Sequence, residues 1–315
     1  MTEASVVICT HNPRSDYLGR VLDALRNQSV PLKQWELLLV DSASEPALAP
    51  RWDLSWHPNA RHMREDELGL ASARRCGIAA ARADLLIFVD DDNVLAENYL
   101  SEALKIKQEW PRLGTWGSGT INPEFEQQPA NHLKPYLHRL ALRENKEPYW
   151  SNVLSCGDAI PPGAGMCVRV RVAHEYCRLH AKDTIHLTGR SGGALVGHED
   201  YEISFVGCDV GLGMGVFPEL RMTHLIPKER LSDEYFVRHA EGNQISGGLL
   251  AYKWLGEVPP DPFSLKGILS LVKHVVLTGG FDRKLYLAEM KGKIAARREV
   301  ARLKGNSQSG TPHYE

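Results

Sequence analysis

Short apolar runs and amphipathic stretches alternate along the first two thirds of the chain. Residues 5–10, 35–40 and 85–89 are almost wholly apolar, which is typical of strands that a parallel sheet buries on both faces. Between the first two runs, apolar residues recur from Leu18 to Leu25 at the three- and four-residue spacing of one helix face. This order of strand, helix and strand predicts a right-handed, parallel βαβ unit, and therefore an α/β fold.

The pattern of the remaining chain predicts a longer series of elements. These are a strand near 61–63, an alanine-rich helix at 69–82, a helix at 96–108, a strand at 114–119, a strand ending at 168, a helix at 169–181, a helix starting at 199 and a strand after 211. Residues 122–150 are polar and interrupted by prolines, and their pattern predicts no particular element. We therefore expect one α/β domain in residues 1–230, a helical extension in 231–304 and a disordered tail in 305–315.

The C-terminal third differs in composition from the rest. A long helix or helix pair is predicted at 232–255, a proline-rich break at 259–262, and an apolar stripe of helical period at 265–276. Residues 283–304 combine apolar positions with many lysines and arginines. Such a basic amphipathic segment suits the anionic inner face of a cytoplasmic membrane, which would make the protein peripheral there. The alternative is that these helices pack on the main domain or on a second subunit in a homodimer.

Composition narrows the class of protein. The chain has 315 residues, 43% hydrophobic and 24% charged, with a net charge of -2, which is ordinary for a globular protein and gives no argument for nucleic-acid binding. Its six cysteines are scattered without a C-x-x-C pair, which predicts reduced thiols and no zinc site. Without a signal-like start or about 18 consecutive apolar residues, the sequence predicts a cytoplasmic protein.

Three acids follow the third buried strand. Asp90, Asp91 and Asp92 come directly after residues 85–89, at the strand end where open α/β sheets bind ligands. Adjacent carboxylates repel one another, and a divalent metal that carries phosphate oxygens is a usual way to hold them together. The alternative is an acidic turn that caps the following helix.

Other candidate residues are each ambiguous alone. Residues 199–202 place three acids at the start of a predicted helix. Either they are there because the helix dipole favours acids at this end, or one of them acts as a general base. Arg74 and Arg75 project from the first turns of the alanine-rich helix, and either one of them reaches a phosphate or a base or both are solvated or snorkelling arginines. Gly163 and Gly165 allow backbone amides to approach an anion or form a tight turn, and His224 is a ligand or a structural residue.

Taken in order, these motifs resemble the family 2 glycosyltransferases with the GT-A fold. They are T-H-N-P after the first strand, Asp41-Ser42 after the second, G-L-A-S-A-R before the helix, F-V-D-D-D, G-x-G, G-H-E-D and T-H-L-I-P. The resemblance covers roughly residues 5–230. It implies a Rossmann-like mixed, mostly parallel sheet flanked by helices. A nucleotide-sugar half would occupy about 1–118 and an acceptor half about 119–230.

The resemblance also implies a role for each motif residue. The nucleotide sugar would be contacted by Thr10, His11, Asn12, Arg14, Asp41, Arg74, Asp90 and Asp91. Mn²⁺ or Mg²⁺ would be held by Asp90, Asp92 and His224. Asp200 would be the catalytic base, with Glu199 as its neighbour. His198 departs from the small residue that many members carry before the E-D pair, which puts the shape of the acceptor side in doubt.

The implied activity is inverting transfer of a hexosyl or related group from a nucleoside-diphosphate sugar, with UDP favoured. The acceptor would be a hydroxyl of a saccharide or a lipid-linked saccharide, as in envelope polysaccharide or glycan synthesis. Two other classes stay open: a nucleotidyltransferase that forms sugar nucleotides, and a non-catalytic protein that binds them. The first would need a glycine-rich phosphate loop where this chain has T-H-N-P-R-S. A dinucleotide-dependent dehydrogenase is disfavoured because no G-x-G-x-x-G follows the first strand.

Overall fold

The computed structural model describes residues 2–183 and 197–307. These residues fall into two compact units. The first comprises the chain up to residue 183 together with 199–228, and the second comprises 197–198 and 229–307. The two units are described separately below.

The first unit contains the sheet and five α-helices. Its strands are β1 (Ala4–Thr10), β2 (Trp35–Ser42), β3 (Ala60–Glu65), β4 (Leu85–Val89), β5 (Asn93–Leu95), β6 (Leu113–Phe125), β7 (Arg143–Glu144), β8 (Tyr149–Ser151), β9 (Cys167–Arg169) and β10 (Gly213–Ile226). Its helices are α1 (Ser15–Arg26), α2 (Leu70–Ala80), α3 (Tyr99–Glu109), α4 (Val170–His180) and α5 (Glu199–Asp209).

The sheet is mixed, with a parallel half and a partly antiparallel half. Its strand order is β3-β2-β1-β4-β9-β6-β10-β5, with β7 paired to β6 and β8 to β10. The first four strands in this order are parallel, β9 runs antiparallel to both β4 and β6, and β10 is parallel to β6. The predicted fold class, a mostly parallel sheet flanked by helices, is confirmed.

The apolar pattern explains this core. β1, β2 and β4 are buried along their whole length, as their continuous apolar runs predict. The predicted face of α1 is also buried, from Leu18 to Leu25. The small side chains of α2 let it approach the sheet closely, since a Cβ added at Gly77 would overlap the side chain of Val7.

The pattern was least informative beyond β4. A strand, β5, precedes α3, and β6 continues to Phe125 into the stretch that had no prediction. That stretch also holds a 3₁₀ turn at Asn131–Leu140 and the short strands β7 and β8. Both long strands carry a proline, at 123 and 218, and the register of β6 on β10 shifts between Phe217 and Arg221. These interruptions break the period from which a strand is recognised.

The second unit is helical and consists of α6 (Asp233–Leu255), α7 (Leu265–Leu277) and α8 (Gly280–Ser307). Ser232 caps the start of α6, where its side chain accepts a hydrogen bond from the Tyr235 amide, and Gly256 caps its end in a left-handed conformation. α8 continues past residue 304, and the rest of the predicted tail, 308–315, lies outside the described residues. Across the ranges that the structure describes, no helix has the length and apolar character needed to cross a bilayer.

Candidate active site

The loops after β1 and β2 are joined by hydrogen bonds at the carboxyl edge of the sheet. His11 Nδ1 donates to the Ser42 carbonyl oxygen over 2.7 Å, and the Asn12 amide donates to Ser44 Oγ over 2.9 Å. The Asn12 side chain accepts from the Glu45 amide over 2.9 Å, and its backbone is left-handed, with φ of 46°. The structure therefore brings two predicted nucleotide contacts, at 11 and 12, to the loop that follows a third, Asp41, at the end of β2.

Asp41 is buried and its carboxylate organises the loop after β2. Oδ1 accepts from the Ser44 amide over 2.9 Å, and Oδ2 accepts from the Leu48 amide over 3.0 Å and from Arg64 Nη1 over 2.8 Å. Burial opposes ionisation, but these hydrogen bonds outweigh it and lower the pKa of Asp41. Its contact with the nucleotide base stays a prediction. Sequence reasoning missed the contact of Arg64. The parallel pairing of β3 with β2 places Arg64 beside Asp41, at the same edge of the sheet.

Arg14 lies after the β1 loop, and carboxylates already surround its guanidinium. Asp16 accepts from it over 2.7 Å and Glu126 lies 2.5 Å from Nη1. Its guanidinium also lies 4.0 Å from the centre of the Tyr17 ring. A phosphate would have to compete with two carboxylates there, and the predicted nucleotide contact of Arg14 stays a prediction.

The three acids after β4 contact three different elements. Asp91 accepts a hydrogen bond from the Thr10 hydroxyl of β1, and Asp90 Oδ1 lies 3.7 Å from Arg74 Nη2 of α2. Asp92 Oδ2 lies 3.6 Å from His224 Nε2 of β10. The acids do not cap the next helix: among the described residues its N-cap is residue 98 and makes no side-chain cap. The capping alternative is therefore excluded.

The Asp92–His224 pair has the chemistry of a metal site. His224 Nδ1 bonds the Leu140 carbonyl over 3.0 Å, and because a carbonyl only accepts, Nε2 keeps its lone pair in the neutral ring. A backbone carbonyl commonly orients a ligand histidine in this way. Within the described ranges no three His, Cys, Asp or Glu residues form a complete site. Mg²⁺ and Mn²⁺ are often held by one or two protein ligands plus substrate phosphates, and the pair fits that mode. Asp90, the third predicted ligand, contacts Arg74.

Arg74 is a buried cation between two acidic groups. Its side chain is 3% exposed, with Nη2 3.7 Å from Asp90 Oδ1 and Nη1 3.5 Å from Glu199 Oε2. Its guanidinium also lies 5.2 Å from the centre of the Phe88 ring in β4. The surface alternative for Arg74 is excluded, and its contact with the nucleotide stays a prediction. Arg74 brings the end of β4 and the start of α5 to one place.

The acids at the start of α5 have different environments. Glu199 is 2% exposed, and neither of its carboxylate oxygens has a hydrogen-bond partner in the described part of the chain. Burial raises its pKa from 4.5 to about 7, although the Arg74 charge opposes this shift. Asp200 is half-buried, with Oδ2 accepting from the Gly163 amide over 2.9 Å and Oδ1 from the Tyr201 amide over 3.0 Å. Two backbone donors thus orient the candidate base.

The glycines before β9 serve this arrangement. A Cβ added at Gly163 would lie 2.6 Å from Arg74 Nη2, so this residue fits between Arg74 and Asp200 only because it has no side chain. Gly165 has a φ of 71° and its carbonyl accepts from the Tyr99 hydroxyl over 2.7 Å. The anion that the Gly163 amide meets here is the carboxylate of Asp200.

Arg143 in β7 is a further cation close to the candidate base. Burial lowers its pKa, and the nearby charges of Tyr201, Asp200 and Asp158 offset part of that effect. Its guanidinium donates to the Ile160 carbonyl over 3.4 Å. Sequence reasoning missed it because it lies within 122–150, where no periodicity marks an element.

Sequence comparison finds a family match in the N-terminal part of the chain. Residues 5–160 match the model described as "Glycosyl transferase family 2". This part of the chain belongs to glycosyl transferase family 2. The predicted resemblance is confirmed over that range, which includes Thr10, Asp41, Arg74 and 90–92 but ends before Glu199. No protein of curated function matches the chain in sequence.

The chain is similar to several solved structures. The mannosyltransferase PcManGT from Pyrobaculum calidifontis, in complex with GDP-Man and Mn²⁺, is 17% identical, with 95% of this chain and 87% of that chain covered and a TM-score of 0.58. TarS 1-349 of S. aureus is 14% identical over 96% and 92%, with a TM-score of 0.47. GalNAc-T7 with UDP, GalNAc and Mn²⁺ is 19% identical over 71% and 43%, with a TM-score of 0.47. The likeness to PcManGT confirms the predicted GT-A fold.

Proposed function

We propose that this glycosyltransferase inverts the anomeric configuration as it moves a sugar from a nucleoside-diphosphate sugar to an acceptor hydroxyl, with a divalent metal. The observation that carries the proposal is the connection through Arg74 and Gly163. Asp90 and Glu199 flank the same guanidinium, and the adjacent glycine amide holds Asp200. Donor-side acids and a candidate base therefore share one site.

The donor side would be formed by the edge that carries the loops after β1, β2 and β4. Hydrogen bonds already join the loops at His11, Asn12 and Asp41, and such preorganisation supports the proposed binding of a nucleoside-diphosphate sugar there. The resemblance favours UDP. The PcManGT structure, which shares the fold, holds GDP-Man, so the test uses nucleotide sugars with different nucleobases.

Asp92 and His224 would hold Mn²⁺ or Mg²⁺. When bound, the ion would neutralise charge that develops on the departing nucleoside diphosphate. The chain's own contribution is orientation: the Leu140 carbonyl fixes the His224 ring, and Asn93 donates to Asp92 Oδ1. Asp90, beside Arg74, is assigned to the nucleotide sugar and, as a weaker candidate, to the metal.

Asp200 would take the proton from the acceptor hydroxyl as that oxygen attacks the anomeric carbon. Inversion by direct displacement needs one base and no covalent intermediate. Glu199 would assist as a neighbour, because it contacts the same arginine as Asp90. We assign the acceptor to a saccharide or a lipid-linked saccharide of polysaccharide or glycan synthesis. A lipid-linked acceptor would place the protein at the inner face of the cytoplasmic membrane.

Asp200→Asn tests the proposal. We expect transfer, measured with a panel of nucleotide sugars and Mn²⁺, to fall about 10²–10⁴-fold because the amide cannot accept the proton. Nucleotide affinity, measured by calorimetry, should stay nearly unchanged. Asp209→Asn is the matched control, since it makes the same change at the exposed end of the same helix and should keep full transfer.

Three outcomes would contradict the proposal. Equal loss of transfer and nucleotide affinity in Asp200→Asn would remove the residue from the base role. Release of pyrophosphate instead of a nucleoside diphosphate would identify a nucleotidyltransferase. Binding of sugar nucleotides with neither transfer nor hydrolysis in the presence of metal would identify a non-catalytic binding protein.

A further inference from the structure

Helix α7 has its apolar stripe exposed. None of its residues is buried in the described structure, and the exposed fractions of its stripe range from 45% at Ile268 to 75% at Leu265. The stripe consists of Leu265, Ile268, Leu269, Val272 and Val276, at the spacing of one helix face. In a soluble globular protein such a stripe normally faces the core. An outward apolar stripe of this size marks an interaction surface.

The opposite side of α7 attaches it to α8. Ser270 Oγ lies 3.1 Å from the Tyr286 hydroxyl, and the His274 ring stacks on the Tyr286 ring at 4.1 Å with an interplanar angle of 2°. Ser270 and His274 are four positions apart in α7, so they lie on the same face of the helix. The helix is therefore held within its unit by this polar and aromatic side, and the apolar stripe is not needed for that contact.

α8 uses its own apolar residues inside the second unit. Its buried positions are Phe281, Leu285, Ala288, Ala296 and Val300. Close contacts with α6 accompany them, since a Cβ added at Gly248 of α6 would lie 2.7 Å from the Ala296 Cβ. The basic residues of 283–304 therefore belong to a helix whose apolar face is already packed inside the second unit. The membrane contact that the sequence placed on this segment is better assigned to α7.

The charges of α7 select an anionic partner. The helix contains no Asp or Glu, and Lys266 and Lys273 lie two turns apart on one flank of the stripe, both exposed. Phe263, 66% exposed, precedes the helix on the same exposed stretch. A second copy of the chain would bring these lysines together without an acid on the helix to pair them. Anionic lipid headgroups pair with them while acyl chains take up the leucines and valines.

We propose that α7 binds the interface of an anionic phospholipid bilayer, parallel to its plane, with the apolar stripe toward the acyl chains. Its 13 residues span about 20 Å at 1.5 Å per residue, which is shorter than a membrane-spanning helix. The proposal is independent of the glycosyltransferase reaction, because it rests on a surface of the second unit and its test measures lipid binding.

Flotation of the full chain with lipid vesicles tests the proposal. We expect binding to vesicles of phosphatidylcholine mixed with phosphatidylglycerol and little binding to phosphatidylcholine alone. Lys266→Gln with Lys273→Gln should lower the partition coefficient by about tenfold or more, since each basic residue near such a surface contributes roughly 1 kcal/mol. Leu269→Ser with Val276→Ser should abolish binding. These side chains are already exposed, so the fold should be unaffected, which circular dichroism checks.

Lys291→Gln with Arg298→Gln is the matched control, because it removes the same charge from exposed positions of α8. This variant should keep most of the binding. The proposal is overturned if the α8 variant loses binding while the α7 variants keep it, or if the wild-type chain does not bind mixed vesicles. A dimer in light scattering that Leu269→Ser with Val276→Ser dissociates, without any vesicle binding, would assign the stripe to a second copy and would also overturn it.

Discussion

Glu199→Gln should stabilise the first unit at alkaline pH. The carboxyl is 2% exposed, and burial raises its pKa from 4.5 to about 7 even with Arg74 3.5 Å away. A raised pKa means that the folded state binds the proton more tightly than the unfolded state. The stability that Glu199 contributes is therefore fully present below pH 4.5 and is lost as pH rises through about 7.

The size of the effect follows from the width of this window. A difference of about 2.5 pKa units corresponds to roughly 3 kcal/mol in the free energy of unfolding once pH exceeds the folded pKa. Glutamine mimics the protonated side chain at every pH, so it removes this loss. We expect the variant to match the wild type near about pH 4 and to be about 3 kcal/mol more stable near about pH 8.

Urea unfolding at several pH values, with a chelator present, measures this difference. Tryptophan fluorescence reports on the first unit, because six of the seven tryptophans lie in it and only Trp254 lies in the second. Asp209→Asn, at the exposed end of α5, is the control and should show no such pH-dependent gain. A gain that does not change with pH, or a loss of stability at alkaline pH, would refute the reasoning about Glu199.

Two further predictions concern the neighbouring groups. Gly163→Ala should cost about 1–3 kcal/mol and most of the transfer activity, because the added Cβ would meet buried Arg74. Thermal unfolding measures the cost, with Gly157→Ala as control, since a Cβ there meets nothing within 4 Å among the described residues. His224→Gln should lower Mn²⁺-dependent nucleotide affinity by about 10–100-fold in calorimetry with and without Mn²⁺. His138→Gln, at an exposed histidine, is the control and should leave this affinity unchanged. If both variants lowered the affinity equally, residue 224 would be excluded from the metal site.

The parallel half of the fold could be predicted because its strands are continuous apolar runs. β1, β2 and β4 are buried on both faces, so burial alone determines their composition, and the helix periods between them are long enough to recognise. The other half could not be predicted in detail. β6 and β10 carry prolines and a register shift, and the connection between β6 and β9 is held by individual contacts, including that of Arg143 with the Ile160 carbonyl. Such contacts leave no period in the sequence.

Residue patterns alone predicted the candidate site as separate local clusters; the family resemblance implied that they meet, but not the contacts that join them. The acids at 90–92 and at 199–200 each stand out beside an apolar or helical segment. Their meeting depends on Arg74 and Gly163, which belong to neither cluster. Neither residue type is rare, and an arginine at a helix start or a glycine before a strand usually has an ordinary surface or turn role. Only tertiary packing shows that one is buried between carboxylates and that the other has no room for a side chain.

The charge balance of the assembled site argues for a cation partner. Asp90, Glu199 and Asp200 surround or adjoin one buried guanidinium, and Asp92 contributes a further carboxylate beside His224. Arg74 and Arg143, the cation near Asp200, do not fully compensate these four carboxylates, and burial raises the pKa of Glu199. A divalent ion at Asp92 would supply positive charge to the acidic edge and also attract a diphosphate. This excess of acids supports the proposed binding of a metal, and through the metal that of an anionic donor.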